Sequence, residues 1–500
     1  MYNGQMAVIL RLSEKLQTIA LLALITILGA ALRLFLLGQA TLWFDESVSW
    51  ELAAGSWTHF WKRLLQWEAN MVFYYLLLRI WITLGETESV LRSLSVFIGV
   101  ATIPAVYMLG RHLFGPRAGL ISATLLSVHT FHVQYSQEAR SYALLAFLLV
   151  MSTYFFVKAI EAPYSKRYWL AYRLVSVSAV YAHGFAILVL IAQWLSLGFM
   201  TLRDGQFWSK VGPLILLCIP MIAFLLLRDV GQLSWVPEFN LQRLLSGLRQ
   251  LSGDGGYALS MLYIAACVPA VRRTFNFDSA NPVTKTWSVR LLTIWLVFPP
   301  AILGIISLAK PIFVSRFLLM CVPALVLLAG YSLVGPNIIR SRLSFLRRTS
   351  CLCLILAFSS WSLVQYFQMR SEMQNEWAAA TQYILIHQEP GDKLVFYSLA
   401  HPFYYYVHRE LQRNGLALSP QIGSSLSEDV ILRMTKNDTR VWLVAYTNVD
   451  SNTAAEREQL RLKQWLMVRS KLEEQFYLDE WKQFQSVGRA PLTVELYNRR

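Results

Sequence analysis

The sequence predicts an all-α polytopic membrane bundle followed by a small C-terminal α/β domain. Hydrophobic residues make up 55% of the 500 residues, charged residues make up 15%, and the mean hydropathy is +0.42. A soluble protein of this length carries more charge and shorter apolar runs. Here the apolar runs extend over about 17–22 residues, the length that crosses roughly 30 Å of hydrocarbon. We therefore predict a membrane domain over residues 1–370 and a polar domain over residues 371–500.

About eleven segments are apolar and long enough to be transmembrane helices. They are 16–37, 90–110, 118–136, 140–160, 169–183, 184–202, 211–227, 256–271, 290–308, 317–335 and 350–367. Basic residues lie in alternate loops between them, as the positive-inside rule requires of cytoplasmic loops. Because eleven crossings is an odd number, the C-terminal domain is expected outside the cytoplasm.

The distribution of charge excludes a nucleic-acid partner. The formal charge is +15, but residues 371–500 hold 15 basic and 16 acidic residues, so the positive excess lies in residues 1–370. A nucleic-acid surface needs its basic side chains together on one soluble face. We expect instead an integral, multi-pass protein of the bacterial inner (plasma) membrane.

The first external loop, about residues 38–88, is predicted to lie against the membrane. Residues 71–84 are apolar but too short to cross, and a crossing there would reverse the side of every later basic loop. Residues 53–65 carry apolar side chains at helical spacing. Both segments are therefore predicted to be interfacial helices.

The polar domain shows helical and strand patterns in turn. We predict helices over residues 372–388 and 454–476, and strands over 393–398, 441–446 and 492–497. No glycine-rich phosphate loop accompanies these strands. That pattern argues against a nucleotide site in this domain.

Two adjacent carboxylates, Asp45 and Glu46, stand just after the first predicted span and are flanked by aromatic residues. A carboxylate at the boundary of water and hydrocarbon can act as a general base, or the pair can hold a divalent cation. The same residues also suit the first turn of a surface helix, where acidic side chains are favoured. The spacing alone leaves both interpretations open.

A polar segment, Tyr135–Tyr142, separates the third and fourth predicted spans and contains Glu138 and Arg140. Charged groups so close to hydrocarbon are usually paired or functional. This segment either contributes to a site or forms a charged turn between two helices.

Two cations, Lys310 and Arg316, stand at the start of the tenth predicted span, and His183 lies in a short turn between two others. A guanidinium can bind a lipid phosphate through two parallel hydrogen bonds, although both cations could equally reach toward anionic headgroups. His183 could be structural. The predicted topology puts all these candidates on the same membrane face as Asp45, which favours a shared function.

At this point the sequence resembles the GT-C glycosyltransferases, and within them the family of protein O-mannosyltransferases and the aminoarabinose transferase acting on lipid A. The matching stretches are Trp43-Phe44-Asp45-Glu46, Glu68-Ala69-Asn70 leading into Phe73-Tyr74-Tyr75, Arg92 through Gly115, Tyr135-Ser136-Gln137-Glu138-Ala139-Arg140, and Pro311 through Arg316. The resemblance covers roughly residues 1–335, and the C-terminal domain adds little to it.

The resemblance implies a GT-C bundle and an inverting hexosyl- or pentosyltransferase whose donor is a polyprenyl-phosphate-linked sugar. Asp45 would be the base that takes the proton from the acceptor hydroxyl. Glu46 would assist it or position it. Lys310, Arg316 and Arg140 would bind the donor phosphate. Residues that order the site would be Glu138, Tyr142, His183, Glu68 and Asn70. The acceptor would be a protein, lipid or glycan.

A metal ion is implied less directly. Related enzymes often have proline, sometimes with histidine, in the loop before the two tyrosines, where this chain has Met71-Val72. No cofactor follows from the sequence, and Asp45 and Glu46 would be the ligands of any divalent cation.

Two other classes of protein remain open. A transporter or flippase of a lipid-linked glycan would need polar or broken helices near the middle of the membrane and often an internal repeat. The chain has few charges within its spans and no repeat. A relative that binds a glycan without catalysis would share the fold. The enzyme is favoured because the chemically useful groups gather at one surface.

Overall fold

The structure of the chain is a computed structural model. It describes residues 2–198, 205–227, 236–272, 285–335, 342–373, 375–396, 400–415, 421–424, 438–446, 466–484 and 492–500. The described chain forms two compact units. The membrane unit contains Met1–Leu37 and Leu52–Tyr366, and the C-terminal unit contains Gly38–Glu51 and Phe367–Arg500. The predicted catalytic segment around Asp45 therefore groups with the C-terminal residues.

Helices dominate the first 372 residues of the chain. They are α1 (Tyr2–Leu34), α2 (Phe44–Ala54), α3 (Trp57–Arg63), α4 (Val72–Trp81), α5 (Glu88–Phe114), α6 (Pro116–Ser127), α7 (Thr130–Ser136), α8 (Tyr142–Glu161), α9 (Lys166–Ala182), α10 (Ala186–Leu195), α11 (Gly205–Leu227), α12 (Leu241–Leu251), α13 (Gly256–Val271), α14 (Lys285–Ser307), α15 (Val322–Val334) and α16 (Arg342–Glu372). A 3₁₀ helix, Ser315–Cys321, leads into α15.

Seven helical segments of the described chain are long and apolar enough to cross a membrane, or eight if the bent pair α12 and α13 is one span. The segment predicted to span at 118–136 is divided into α6 and α7, and the two spans predicted at 169–202 contain the shorter helices α9 and α10. The chain is thus a helical, multi-pass membrane protein, and the number of about eleven crossings stays a prediction. The apolar segment Val72–Leu84 is too short to cross alone, as expected.

The core of the membrane unit is formed where α5 packs against α1, α6 and α8. Glycines allow the close approach of α5 and α6. A Cβ on Gly119 would lie only 2.7 Å from the Tyr107 carbonyl oxygen and 2.9 Å from the Arg111 nitrogen. Small residues at such crossings let helix backbones approach each other within a membrane.

We expect Gly119→Ala to destabilise the protein by about 1–3 kcal/mol, because the new methyl group meets backbone atoms that cannot move independently. Thermal unfolding in detergent measures the effect. The control is Gly304→Ala in α14, whose Cβ would be 3.5 Å from the nearest atom, an ordinary contact with Phe239. That control is expected to be neutral or slightly stabilising, since alanine favours helices over glycine. Equal unfolding midpoints for the two variants would contradict this account.

The C-terminal unit combines helices with a sheet of five strands among the residues described. Its elements are α17 (Glu376–His387), β1 (Lys393–Phe396), α18 (His401–Asn414), β2 (Gln421–Ser424), β3 (Arg440–Tyr446), β4 (Phe476–Phe484) and β5 (Leu492–Arg499). The strand order is β2-β1-β3-β5-β4, with β1 parallel to β2 and β3, and β5 antiparallel to β3 and β4.

The predicted strands at 393, 441 and 492 and the helix before them are observed, whereas α18, β2 and β4 were not predicted. The predicted helix over 454–476 falls partly outside the described residues, and its described part is helical only over residues 466–473. From Phe476 the chain pairs with β5, so sheet formation replaces the end of that helix. Valine, leucine and aromatic side chains fill the core beneath β3, including Val441, Leu443 and Tyr497.

Candidate functional site

Arg140 is buried and held by hydrogen bonds to two helices. It lies in the turn between α7 and α8 and is 4% exposed. Its Nη1 donates to the Tyr75 hydroxyl at 3.0 Å, and its carbonyl accepts from the Ser95 hydroxyl at 3.2 Å. The Ser95 hydroxyl is itself 2.9 Å from that of Tyr74. Because a buried charge is costly unless it is held by partners, the bond to Tyr75 of α4 helps to place this guanidinium, and Ser95 of α5 holds the backbone of the same residue.

Gln137 holds the same turn between α7 and α8 through its side-chain amide. Its Nε2 donates to the carbonyls of Arg33 at 2.9 Å and Phe35 at 2.7 Å, and its Oε1 accepts from the Tyr366 hydroxyl at 2.8 Å. Between those carbonyls and the loop that follows α1, Leu36 has a φ of +56°, a conformation that side chains with a Cβ rarely adopt. The side-chain amide of Gln137 thus stabilises the unusual backbone conformation just after α1.

His183 occupies the turn between α9 and α10 and is almost completely buried. Asn70 reaches this turn from the segment before α4, where a π-helical turn and a 3₁₀ turn interrupt the helix. The Gly184 nitrogen donates to Asn70 Oδ1 at 2.8 Å, and Asn70 Nδ2 is 3.5 Å from His183 Nε2. The His183 ring centroid is 6.0 Å from that of Tyr142 and 5.3 Å from that of Phe317.

Arg316 enters this cluster from the 3₁₀ helix before α15. Its guanidinium carbon is 6.0 Å from the Tyr142 ring centroid and 6.0 Å from the Phe317 ring centroid. Arg140 stands two positions before Tyr142, in the turn between α7 and α8. Arg316 beside Tyr142 and Arg140 in the turn just before Tyr142 bring two positive charges to this part of the unit, which suits an anion.

Five of the predicted site residues therefore come together in the membrane unit, although they are far apart in sequence. They are Asn70, Arg140, Tyr142, His183 and Arg316. The charge count predicted that these segments share a membrane face, and their contacts agree with a common location. Their chemical roles stay predictions.

Three further predicted site residues belong to this unit, and they are Glu138, Lys310 and Glu68. Glu138 is half-buried in the turn of Arg140, and its carbonyl accepts from the Arg140 nitrogen at 2.8 Å. Lys310 is exposed in the segment after α14. Glu68 ends the π-helical turn, and its side chain lies outside the described part of the structure.

Asp45 and Glu46 belong to the C-terminal unit, in the first turn of α2. The Trp43 carbonyl accepts from the nitrogens of Glu46 and Ser47 and so begins the helix. Acidic residues are favoured in a first turn by the helix dipole, so the alternative structural role is compatible with this position. The two differ in burial, because Glu46 is 1% exposed whereas Asp45 is half-buried. Of the pair, Asp45 keeps the larger part of its surface accessible.

No three histidine, cysteine, aspartate or glutamate side chains within the described ranges come together as ligands for a metal ion. Asp45 and Glu46 stay the candidates for a cation, should one bind. Tyr74, Tyr75 and Gln137 lie in stretches that carry the resemblance but were given no role there, and Ser95 was not singled out. Each is a polar side chain in or next to an apolar run, which was the available signal.

Part of the chain matches a known protein family. Residues 69–228 match the family model of dolichyl-phosphate-mannose-protein mannosyltransferases. That range contains Asn70, Arg140, Tyr142 and His183. No curated protein matches the chain significantly in sequence.

Among solved structures, the chain is similar to ArnT from Cupriavidus metallidurans in its apo state, with 12% identity, a TM-score of 0.59, and coverage of 96% of this chain and 97% of ArnT. The same values of identity, TM-score and coverage of this chain hold for ArnT bound to undecaprenyl phosphate, of which 98% is covered. The archaeal oligosaccharyltransferase AglB from Archaeoglobus fulgidus, in complex with an inhibitory peptide and a dolichol-phosphate, has 13% identity and a TM-score of 0.52, covering 94% of this chain and 73% of AglB. The resemblance to GT-C glycosyltransferases seen in the sequence is confirmed.

Proposed function

We propose that this chain, a membrane protein with the GT-C fold, is an inverting glycosyltransferase that moves a hexose or pentose from a polyprenyl-phosphate carrier to a hydroxyl of a protein, lipid or glycan. The observation that carries the proposal is that Arg316 lies 6.0 Å from the ring of Tyr142, which stands next to His183 and two positions after the buried Arg140. The fold and the family match support a glycosyltransferase, and two similar structures hold polyprenyl phosphates. The proposed location is a bacterial plasma membrane, with the C-terminal unit on the extracytoplasmic side.

In this proposal Arg140 and Arg316 bind the phosphate of the donor, and Lys310 adds a third cation. Charge-assisted hydrogen bonds from guanidinium groups stabilise the negative charge that grows on the phosphate as it departs. Asn70 and His183 hold the turn beside these cations, and Tyr142 presents its ring to Arg316. Glu138 orders the turn of Arg140, and Glu68 supports the segment of Asn70.

Asp45 is the proposed general base. As the acceptor oxygen forms its bond to the anomeric carbon, the hydroxyl proton passes to the Asp45 carboxylate. The bond between that carbon and the phosphate oxygen breaks, and the phosphate leaves with the bonding electron pair. Attack from the face opposite the phosphate inverts the configuration. Because phosphate is already a good leaving group, the reaction needs a base and cations more than a strong acid.

The test is transfer from a defined set of donors. Membranes that contain the chain are incubated with polyprenyl phosphates carrying radiolabelled hexoses or pentoses, and both the labelled product and the free polyprenyl phosphate are measured. We expect one donor to lose its label to a new product while free polyprenyl phosphate accumulates. The control is the same sugar carried by a nucleotide, which should not be used.

Other outcomes would count against the proposal. A flippase would move the labelled lipid across vesicle membranes without releasing free polyprenyl phosphate. A protein that only binds glycans would leave every donor intact. Transfer from the nucleotide sugar alone would mean that the anion region around Arg140 and Arg316 serves a different donor.

A further inference from the structure

The helix α18 holds the segment that carries Asp45. Tyr406 is 3% exposed, and its hydroxyl accepts from the Leu42 nitrogen at 3.0 Å and lies 3.0 Å from the Thr41 hydroxyl. A buried hydroxyl with two partners keeps both in place, because losing either leaves a polar group unpaired. The two residues it holds are three and four positions before Asp45.

A second contact is made by Phe44, the residue before Asp45. The ring of Phe44 meets that of His401 edge to face, with centroids 5.0 Å apart and planes at 73°. His401 Nδ1 is also 2.8 Å from Glu51 Oε2. The first residue of α18 therefore contacts both the neighbour of Asp45 and a residue further along α2.

A third contact involves Trp50, on the next turns of α2. Its ring meets Tyr405 edge to face at 5.2 Å and lies 5.3 Å from the ring of His408. Such aromatic pairs stabilise the contact beyond the burial of their surface. Successive turns of α18 thus contact α2 and the residues before it on both sides of Asp45.

We propose that α18 is a positioning element for catalysis, with Tyr406 and His401 as its main positioning residues. This inference rests on the proposed role of Asp45 as the base. A general base must be held within a fraction of an ångström of its working position, and a residue in the first turn of a helix loses that geometry when the start of the helix is not supported. The C-terminal unit then contributes to catalysis by positioning the general base.

The test compares Tyr406→Phe, Thr41→Val and the double variant in the full-length protein. Phenylalanine fills the same space without the hydroxyl, so kcat is expected to fall about 10- to 100-fold through misplacement of Asp45. The KM for the donor should stay within twofold of the wild type, because the cations of the membrane unit are unchanged. The double variant should lose little more than Tyr406→Phe alone, since both changes break the same interaction.

Controls separate positioning from simple loss of folding. Rates are measured per folded protein at a temperature below every unfolding midpoint, and His401→Leu should show the same fall in kcat at constant KM. Tyr477→Phe, on the exposed side of β4, is expected to match the wild type.

The outcomes distinguish the inference from the function on which it rests. If Asp45→Asn abolishes transfer while Tyr406→Phe and His401→Leu keep wild-type kcat, the positioning role is wrong and the base survives. If Asp45→Asn transfers sugar normally, the proposed function itself is wrong. A rise in donor KM with constant kcat in Tyr406→Phe would also overturn the positioning role.

Discussion

Replacing Asp45 by asparagine is expected to lower kcat by about 10²–10⁴-fold, the range that a positioned general base supplies. Asparagine has nearly the same shape as aspartate but cannot take the proton of the acceptor hydroxyl. Both residues are suited to the start of a helix, so α2 should keep its first turn. Single-turnover transfer from the labelled polyprenyl-phosphate sugar isolates the chemical step, and the KM for the donor should change little.

Two further variants test whether the loss of rate is specific to the carboxylate of Asp45. Asp479→Asn makes the same chemical change at an exposed position of β4 and should have no effect on transfer. Glu46→Gln alters a residue that is 1% exposed, so it should lower the thermal stability as well as the rate. A normal single-turnover rate in Asp45→Asn would remove Asp45 from the mechanism, and the acceptor would then need another base.

The sequence was most informative where a local pattern decides the outcome. Apolar runs indicated the long helices, and the alternation of basic loops predicted that the segments of Arg140, His183 and Arg316 share one face. The long helices could be predicted because the thickness of the bilayer sets the length of each apolar run separately. The shared membrane face stays a prediction from the charge rule. The break in the segment 118–136 was not foreseen, since periodicity alone does not mark where a buried helix stops.

Contacts between distant segments were beyond the sequence. Nothing local indicates that Gln137 would bond to carbonyls at the end of α1, about a hundred positions earlier, or to Tyr366. The same holds for Tyr406, which meets Thr41 across most of the chain. Such hydrogen bonds depend on topology, and only the folded arrangement shows which polar groups must satisfy each other.

The C-terminal unit was the weakest part of the sequence interpretation. Its strands β2 and β4 lack strict alternation, and the pairing that stabilises them comes from β1 and β5. Strand propensity reflects the neighbours on a sheet more than the segment itself. The C-terminal domain also adds little to the family resemblance, whereas its helix α18 contacts the segment that carries Asp45.

Removing the cation at Arg316 is expected to have the other large effect. Arg316→Gln should lower kcat/KM for the donor about 10²–10³-fold, because the departing phosphate loses a charged donor at the moment its own charge grows. Arg316→Lys keeps the charge but not the two parallel hydrogen bonds of a guanidinium. We expect it to lose about tenfold, the equivalent of one hydrogen bond to a charged group.

The values of kcat/KM for the wild type, Arg316→Lys and Arg316→Gln are compared. Arginine above lysine above glutamine indicates that both charge and planar geometry act on the phosphate, whereas equal lysine and arginine would indicate charge alone. Arg117→Gln, at an exposed arginine on the first turn of α6, removes the same charge elsewhere and should leave the donor kinetics unchanged. Should Arg316→Gln retain wild-type kcat/KM, the donor phosphate does not bind at the pair of Arg140 and Arg316, and the proposed donor class loses its structural basis.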